Sequence, residues 1–317
     1  MQTAARPASW KILLAFGIIY FVWGSTFLAI RVGVHEVPPF LLAALRFSVA
    51  GLALFVWMRL RGTPSPNPRQ WAGVFLLGTL IFLVDYGCLF WAEQRVPSGI
   101  AAVVLATIPV FITLLEISFL RTQRLTVRLA LALLVGLCGV AVLVNHSLSL
   151  GEIPIDRGGA FALLVAAFTW SIATILTRRL DLPASKPMSA AAQMLAGGAQ
   201  LFVLAAVAGE FGSFHPQAVS VKTWLALLYL IVAGSIVGFT AYIWLLHHES
   251  PTKVGTYAYV NPVVAVAFGY FFGNESVGPR TLVGTLLVLL SVITIATTPK
   301  KTSESEKQAE LSVAEAD

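Results

Sequence analysis

VPSGIAAVVLATIPV, residues Val96–Val110, returns in loosened form as SPTKVGTYAYVNPV, residues Ser250–Val263. A proline that opens an apolar run and a second proline inside it, Pro97 with Pro109, recur as Pro251 with Pro262. Proline withholds a backbone donor and opens the turn before it. Paired interruptions in corresponding apolar segments mark where a membrane protein built from repeats makes its site. One half of the chain therefore reads as a copy of the other, with Pro97 and Pro251 as helix starts and Pro109 and Pro262 as hinges or kinks near mid-membrane.

The surrounding chain has no other home than a bilayer. Hydrophobic residues make up 57% of the 317 and charged residues 11%, against about a quarter charged in a soluble domain; the mean hydropathy is +0.83. Ten continuous apolar runs, near 11–31, 39–59, 71–92, 98–120, 127–146, 157–177, 188–208, 222–246, 253–273 and 280–298, each approach the roughly 20 residues an α-helix needs to cross about 30 Å of hydrocarbon. They do not alternate as barrel strands do. The first run follows Arg6 and Lys11 but offers no small-residue cleavage site, so it is expected to be a retained helix. Cys88 and Cys138 fall inside runs and act as small apolar residues, which leaves no disulfide framework and no metal motif.

The net charge of +6 reports orientation rather than nucleic-acid binding. With the N-terminus in the cytoplasm, fifteen of the 21 Lys and Arg lie at cytoplasmic ends. Arg31, Arg95, Arg157, Lys222 and Arg280 lie opposite, and Arg46 is left within a span. That is a positive-inside bias, and it predicts that both termini are cytoplasmic.

Sliding one half on the other pairs Trp23 with Trp170, Pro109 with Pro262, and Ala132 and Gly139 with Gly284 and Ser291. Five crossings per half force opposite orientations. The expected fold is an all-α membrane protein of ten transmembrane helices in two inverted five-helix repeats. Residues 1–10 are a cytoplasmic N-terminus, 11–146 the first repeat, 147–156 a connecting loop, 157–298 the second repeat, and 299–317 a disordered, polar cytoplasmic tail.

Four stretches carry a family resemblance: WGSTFLAIRVGV (Trp23–Val34), PPFLLAALRFSVAG (Pro38–Gly51), FWAEQRVPSGIAAVVLATIPVF (Phe90–Phe111), and Ser250–Glu275, which ends in FFGNE. In these the chain resembles EamA-type members of the drug/metabolite transporter (DMT) superfamily, over about residues 11–298. The resemblance implies a ten-helix, inverted-repeat carrier, typically a bacterial inner-membrane exporter of amino acids or related metabolites. One departure stands out: the first repeat has LRTQR (Leu120–Arg124) where the family commonly ends its fourth helix with a glutamate like Glu275. Glu275 is therefore taken as structural.

Polar groups at membrane depth are the candidate site. A carboxylate near the bilayer centre costs about 2.5–3.5 kcal/mol on insertion scales, so Asp85 needs a reason. Counting 1.5 Å per residue puts Asp85 about 21 Å above the cytoplasmic side and Arg46 about 10 Å below the outer surface, nearly level. Two readings stand at this point: a structural Arg46–Asp85 ion pair, or an Asp85 that touches cargo or carries a proton. Glu116 lies near Arg121 and Arg124 and is expected to snorkel or pair locally. The five histidines fall at span ends or in loops and form no relay.

Tyr20, Trp23 and Phe27 share one helical face. Trp23 and Trp170 lie mid-membrane, where facing indoles form two walls of a central cavity and offer N–H groups to cargo. Tyr86, Trp91, Tyr242, Tyr257, Tyr259 and Asn261 complete the candidate lining, with Asn261 next to the carbonyls that Pro262 frees. Gly234 with Gly238, and Gly269 with Gly273, have the spacing of close helix contacts.

These features predict a secondary transporter that moves small organic metabolites, amino-acid-like or drug-like, outward by alternating access. The alternative is a carrier that flips lipid or lipid-linked molecules. An intramembrane enzyme is more distant, because no HExxH, nucleophile elbow or catalytic cluster lies in the spans. No P-loop, metal site or cofactor motif is present in the sequence. The expected partners are a small-molecule substrate, membrane lipid and, as the candidate coupling ion, protons, with no nucleic acid, in a monomer or weak dimer.

Overall fold

The computed structural model describes residues 8–120, 125–144, 155–177, 179–248 and 257–297. Met1–Pro7, most of the 147–156 connection, Pro251, and the tail 299–317 lie outside the described residues, as does the side chain of Tyr259. All regular structure among the described residues is helical. Among the described residues seven helices are long and apolar enough to cross a membrane: α1 (Ser9–Val34), α2 (Pro39–Leu60), α3 (Pro68–Glu93), α4 (Ser98–Phe119), α6 (Arg157–Thr177), α7 (Lys186–Val207) and α8 (Val221–Tyr242). Three shorter apolar helices, α5 (Val127–Val144), α9 (Tyr257–Phe272) and α10 (Pro279–Ala296), complete the bundle.

Local chemistry starts these helices where they start. Pro39, Pro68 and Pro279 occupy first-turn positions, where a missing N–H costs nothing. Asn67 and Gln70 close a reciprocal capping box on α3. Inside the bundle, α3 and α8 each widen into a π-helical stretch, Gly78–Tyr86 and Leu230–Val237, at matching places in the two halves. Helix α4 breaks at Ala106–Thr107, just before Pro109. Its counterpart α9 is helical on both sides of Pro262, so the break that precedes Pro109 has no equivalent among the described residues of α9.

Packing within each layer relies on glycine. A Cβ on Gly198 of α7 would sit 2.9 Å from the Ser48 amide nitrogen of α2, and one on Gly139 of α5 the same distance from the Val288 nitrogen of α10. The two glycine pairs with four-residue spacing face neighbours inside the same chain. Gly234 and Gly238 make room for Thr26, Arg46 and Trp23, and Gly269 and Gly273 for Glu275 and Leu28.

One polar cluster ties the halves together at one end of the bundle. Helix α9 ends in a turn in which Asn274 adopts φ 51°, a left-handed conformation that asparagine tolerates, and the Glu275 amide closes on the Gly269 carbonyl at 3.0 Å. The Glu275 carboxylate is thereby delivered to the start of α4. It accepts from Ser98 N (2.8 Å), Ser98 Oγ (2.7 Å) and Gly99 N (3.1 Å), and pairs with Arg31 Nε of α1 at 3.3 Å. Arg31 also donates to the carbonyls of Glu93 (3.2 Å) and Val96 (2.5 Å). Negative charge on a helix N-terminus satisfies donors that no helical partner can reach.

Two further carboxylates bridge the halves at the same end. Glu210 accepts from Leu41 N (2.7 Å) and Phe40 N (3.3 Å) at the start of α2. Burial raises the Glu210 pKa, and the two amide bonds oppose that only in part. Glu36 accepts from Ser220 N at 2.7 Å, and that bond holds its carboxyl below the usual glutamate value.

Two substitutions test this account of the packing. Gly198→Val should destabilise the protein by about 1–3 kcal/mol through overpacking, whereas Gly17→Ala, with nothing within 4 Å of the added carbon, should leave thermal unfolding in detergent unchanged. Glu275→Ala should cost about 3 kcal/mol, because it strands Arg31 and three donors together. An unshifted melting curve for Glu275→Ala would show that the cluster does not hold the halves.

Candidate functional site

Trp23 follows the short π turn of α1 and lies against α8. Its Nε1 donates to the Gly234 carbonyl at 3.1 Å, within the π-helical stretch whose altered ladder leaves acceptors open. Gly238, one turn on, has no side chain, and a Cβ there would meet the Trp23 indole nitrogen. The Trp23 ring packs on Phe239 (centroids 5.5 Å), Tyr242 (5.2 Å) and Tyr257 (5.2 Å, edge-on). Its N–H is thus occupied within the protein, contrary to the expectation that it faces cargo.

Trp170, on α6, meets Tyr86 of α3 at 6.2 Å. The ring contacts of the two tryptophans are with other aromatic residues and not with each other. A chain of rings joins them instead: Trp23 to Phe239, Phe239 to Phe82 (6.5 Å), Phe82 to Tyr86 (5.9 Å), and Tyr86 to Trp170. The chain obeys the repeat, since Tyr86 and Phe239 have the same offset in sequence as Pro109 and Pro262. A backbone contact repeats in the same way. A Cβ on Gly24 would approach the Asn261 carbonyl at 3.2 Å, and Ser171, its counterpart, donates to the Ile108 carbonyl at 3.1 Å.

Arg46 and Asp85 are both buried, at 1% and 3% exposure, yet no ion pair joins them. The Arg46 guanidinium lies over the rings of Phe47 (4.7 Å), Tyr86 (5.3 Å) and Phe90 (5.9 Å), and its Nε donates to Ser235 Oγ at 3.0 Å. Cation–π contact of this kind stabilises a desolvated cation. Equal depth misled the expectation because azimuth differs. Tyr86 is the α3 residue under Arg46, and its chain neighbour Asp85 projects about 100° away around the helix. Asp85 Oδ1 has no hydrogen-bond partner.

The remaining candidates divide. With its amide nitrogen placed to donate, Asn261 bridges the carbonyls of Tyr20 (3.1 Å) and Tyr257 (3.3 Å), so it ties α1 to α9 rather than presenting its amide to a cavity. Tyr20 contributes its carbonyl there and its ring to Phe16 at 5.6 Å. Tyr242 packs on Trp23 and Tyr257. Trp91 joins none of these rings; it lines a groove between α3 and α7 and carries Arg95 over its face at 3.9 Å.

Sequence reasoning missed Glu93. It has no exposed surface, and neither carboxyl oxygen has a hydrogen-bond partner. Ser235 and Phe239 were missed as well, although the offset that pairs Phe239 with Tyr86 could have found one of them.

Chemically, the ring chain offers flat apolar surfaces, with few polar groups left unbonded beside it. The half-buried Trp170 Nε1 and the Tyr86 hydroxyl bond to no described residue and are not sealed from solvent, and Asp85 adds an acceptor. Among the described residues no three His, Cys, Asp or Glu side chains converge as a metal site would need.

Comparison with known proteins agrees with this architecture. The EamA-like transporter family matches residues 9–145 and again 157–297. The uncharacterized inner membrane transporter YedA of Escherichia coli K12 is 34% identical over 290 residues, covering 90% of this chain and 91% of its own. A probable amino-acid metabolite efflux pump of Salmonella typhimurium LT2 is 28% identical over 282 residues, covering 86% and 90%. A solved crystal structure superposes with a TM-score of 0.60 at 22% identity over 92% of this chain and 97% of its own, a likeness of fold. Two family matches, one on each half, fall on the two halves that the repeated prolines and rings define, and the chain belongs to the EamA-like transporter family.

Proposed function

We propose that this protein is a secondary transporter that exports small organic metabolites, amino-acid-like or drug-like, by alternating access at one site between its repeats. The observation that carries the proposal is the ring chain and its paired contacts. Trp23 with Phe239 and Trp170 with Tyr86 are one arrangement made twice, and each pair joins helices of opposite halves or adjoins the junction between them. With α5, α9 and α10 counted as spans beside the seven long helices, ten crossings place five in each half and invert one half against the other. Exchange of conformation between inverted halves moves the opening from one face of the membrane to the other.

The cargo class follows from the lining. Aromatic faces bind flat or aliphatic parts of a molecule, and Trp170 Nε1 with Asp85 supplies one donor and one acceptor. This suits neutral or zwitterionic organic compounds. The relative from Salmonella typhimurium named as a probable amino-acid metabolite efflux pump points the same way. Both termini face the cytoplasm of a bacterial inner membrane in this proposal, as the excess of Lys and Arg at those ends requires.

Purified protein in liposomes, assayed with a panel of amino acids, sugars and nucleosides with and without a pH gradient, tests the assignment. At least one panel member should move; lipid scrambling with no movement of any member would overturn it. With that cargo in hand, Trp170→Phe should weaken transport about fivefold, the worth of one hydrogen bond of about 1 kcal/mol. Trp23→Phe should leave apparent affinity unchanged and lower stability by a similar amount, because its N–H already serves Gly234. Equal loss of affinity in the two variants would contradict the division of roles. Asp85→Asn should fold and lose transport, and wild-type rates in that variant would remove Asp85 from the site.

A further inference from the structure

Between α3 and α7 lies a groove of about 800 Å³. Leu83, Val84 and Trp91 form one wall, Ala199 and Val203 the other, with Phe40 at one end. Gln200, a polar residue in the lining, turns its amide nitrogen onto the Phe75 carbonyl, so the surface left to a ligand is apolar. The walls Leu83–Trp91 and Ala199–Val207 each run about 12 Å at 1.5 Å per residue, close to the depth of one leaflet in a hydrocarbon core about 30 Å thick. Val203 and Val207 are 64% and 81% exposed, so the groove faces the surroundings of the bundle, away from the ring chain.

One end of this groove is cationic. Arg95 stacks on Trp91 at 3.9 Å and donates to its carbonyl at 3.0 Å. A Cβ on Gly158 would lie 3.6 Å from the far edge of the same indole, and the exposed Arg157 precedes Gly158 in the chain. Neither arginine has a carboxylate partner among the described residues. Of the nearby carboxylates, Asp156 accepts from Gly159 N at 2.6 Å and Glu210 from Phe40 and Leu41 N, and Glu93 is fully buried at the end of α3, just before Arg95; none pairs with either arginine. An apolar channel the depth of a leaflet, closed by a tryptophan and by Arg95, with Arg157 and Asp156 close by, matches a phospholipid in shape and offers its phosphate a guanidinium with no carboxylate partner among the described residues.

We propose that the α3–α7 groove is a binding site for an anionic phospholipid, with one acyl chain between Leu83 and Val203 and the headgroup phosphate at Arg95 and Arg157. Arginine suits this role because its planar fork pairs with phosphate oxygens while its stem and face rest on the indole. The site is separate from the cargo site and does not depend on which cargo is carried. Its occupant packs against α3, the helix that carries Asp85 and Tyr86.

Trp91 serves as its own reporter. Purified protein is reconstituted in vesicles of phosphatidylcholine containing a small fraction of lipid brominated on its acyl chains, either phosphatidylglycerol or phosphatidylcholine, and tryptophan fluorescence is recorded. The difference between wild type and Trp91→Phe isolates the signal of the groove. Brominated phosphatidylglycerol should quench that signal in preference to phosphatidylcholine, with an enrichment of about fivefold for each arginine engaged. Arg95→Gln with Arg157→Gln should abolish the preference and leave some quenching by both lipids. Ala199→Phe, which fills the groove from an exposed position, should reduce quenching by both. Equal quenching by the two lipids in wild type would show ordinary boundary lipid and overturn the proposal. Absence of quenching together with a cross-linked dimer through α7 would assign the groove to a second copy and overturn it as well.

Discussion

The carboxylate of Glu275 meets three needs of a chain in a solvent that hydrogen-bonds nothing. It satisfies the first amides of α4, neutralises Arg31 of α1, and fastens the end of α9 to both. Without water, each of those groups left alone would cost several kcal/mol. The turn that delivers the carboxylate depends on Asn274 in a left-handed conformation and on Gly269, where any side chain would displace it. The rest of the bundle is arranged around that fixed point. Helices α1, α4 and α9 converge there, and the same three helices carry Trp23, Pro109 and Tyr257.

From this point the two halves diverge in chemistry while agreeing in shape. Asp85 on α3 corresponds to Gly238 on α8, so one half places a carboxyl where the other leaves a gap for an indole. That exchange accounts for the unequal fates of the tryptophans. Trp23 lies on the bare backbone at Gly238 and gives its N–H to Gly234, whereas Trp170 meets the ring of Tyr86 and keeps its N–H. A symmetric scaffold can rock between two equivalent states, and an asymmetric lining lets a single cargo orientation be preferred throughout.

Much of this was legible in the residues. The apolar runs mark the helices because only continuous hydrophobic stretches survive in lipid, and the recurring prolines and tryptophans mark the repeat. What failed did so for geometric reasons. Depth along a helix can be counted from the sequence, but direction around it drifts wherever the helix widens into a π turn, as α3 does from Gly78 to Tyr86. An ion pair inferred from depth alone therefore placed Arg46 against Asp85, when aromatic faces hold it one residue further on. Trp91 was assigned to the cavity on residue type, and the side of α3 it occupies was not readable. The break that precedes Pro109 in α4 has no equivalent beside Pro262 among the described residues of α9, although the two prolines share a repeat position. Orphaned carboxyls such as Glu93 emerge only when every neighbour is in place.

The Glu275 cluster holds α1, α4 and α9 together at one end of the bundle. Spin labels on Arg95Cys and Ser276Cys, with Cys88 and Cys138 replaced by alanine, report the distance across that end by pulsed electron resonance. The account predicts one short distance with Glu275 intact and a second, longer population when Glu275→Gln is added. Identical distributions in the two proteins would contradict it.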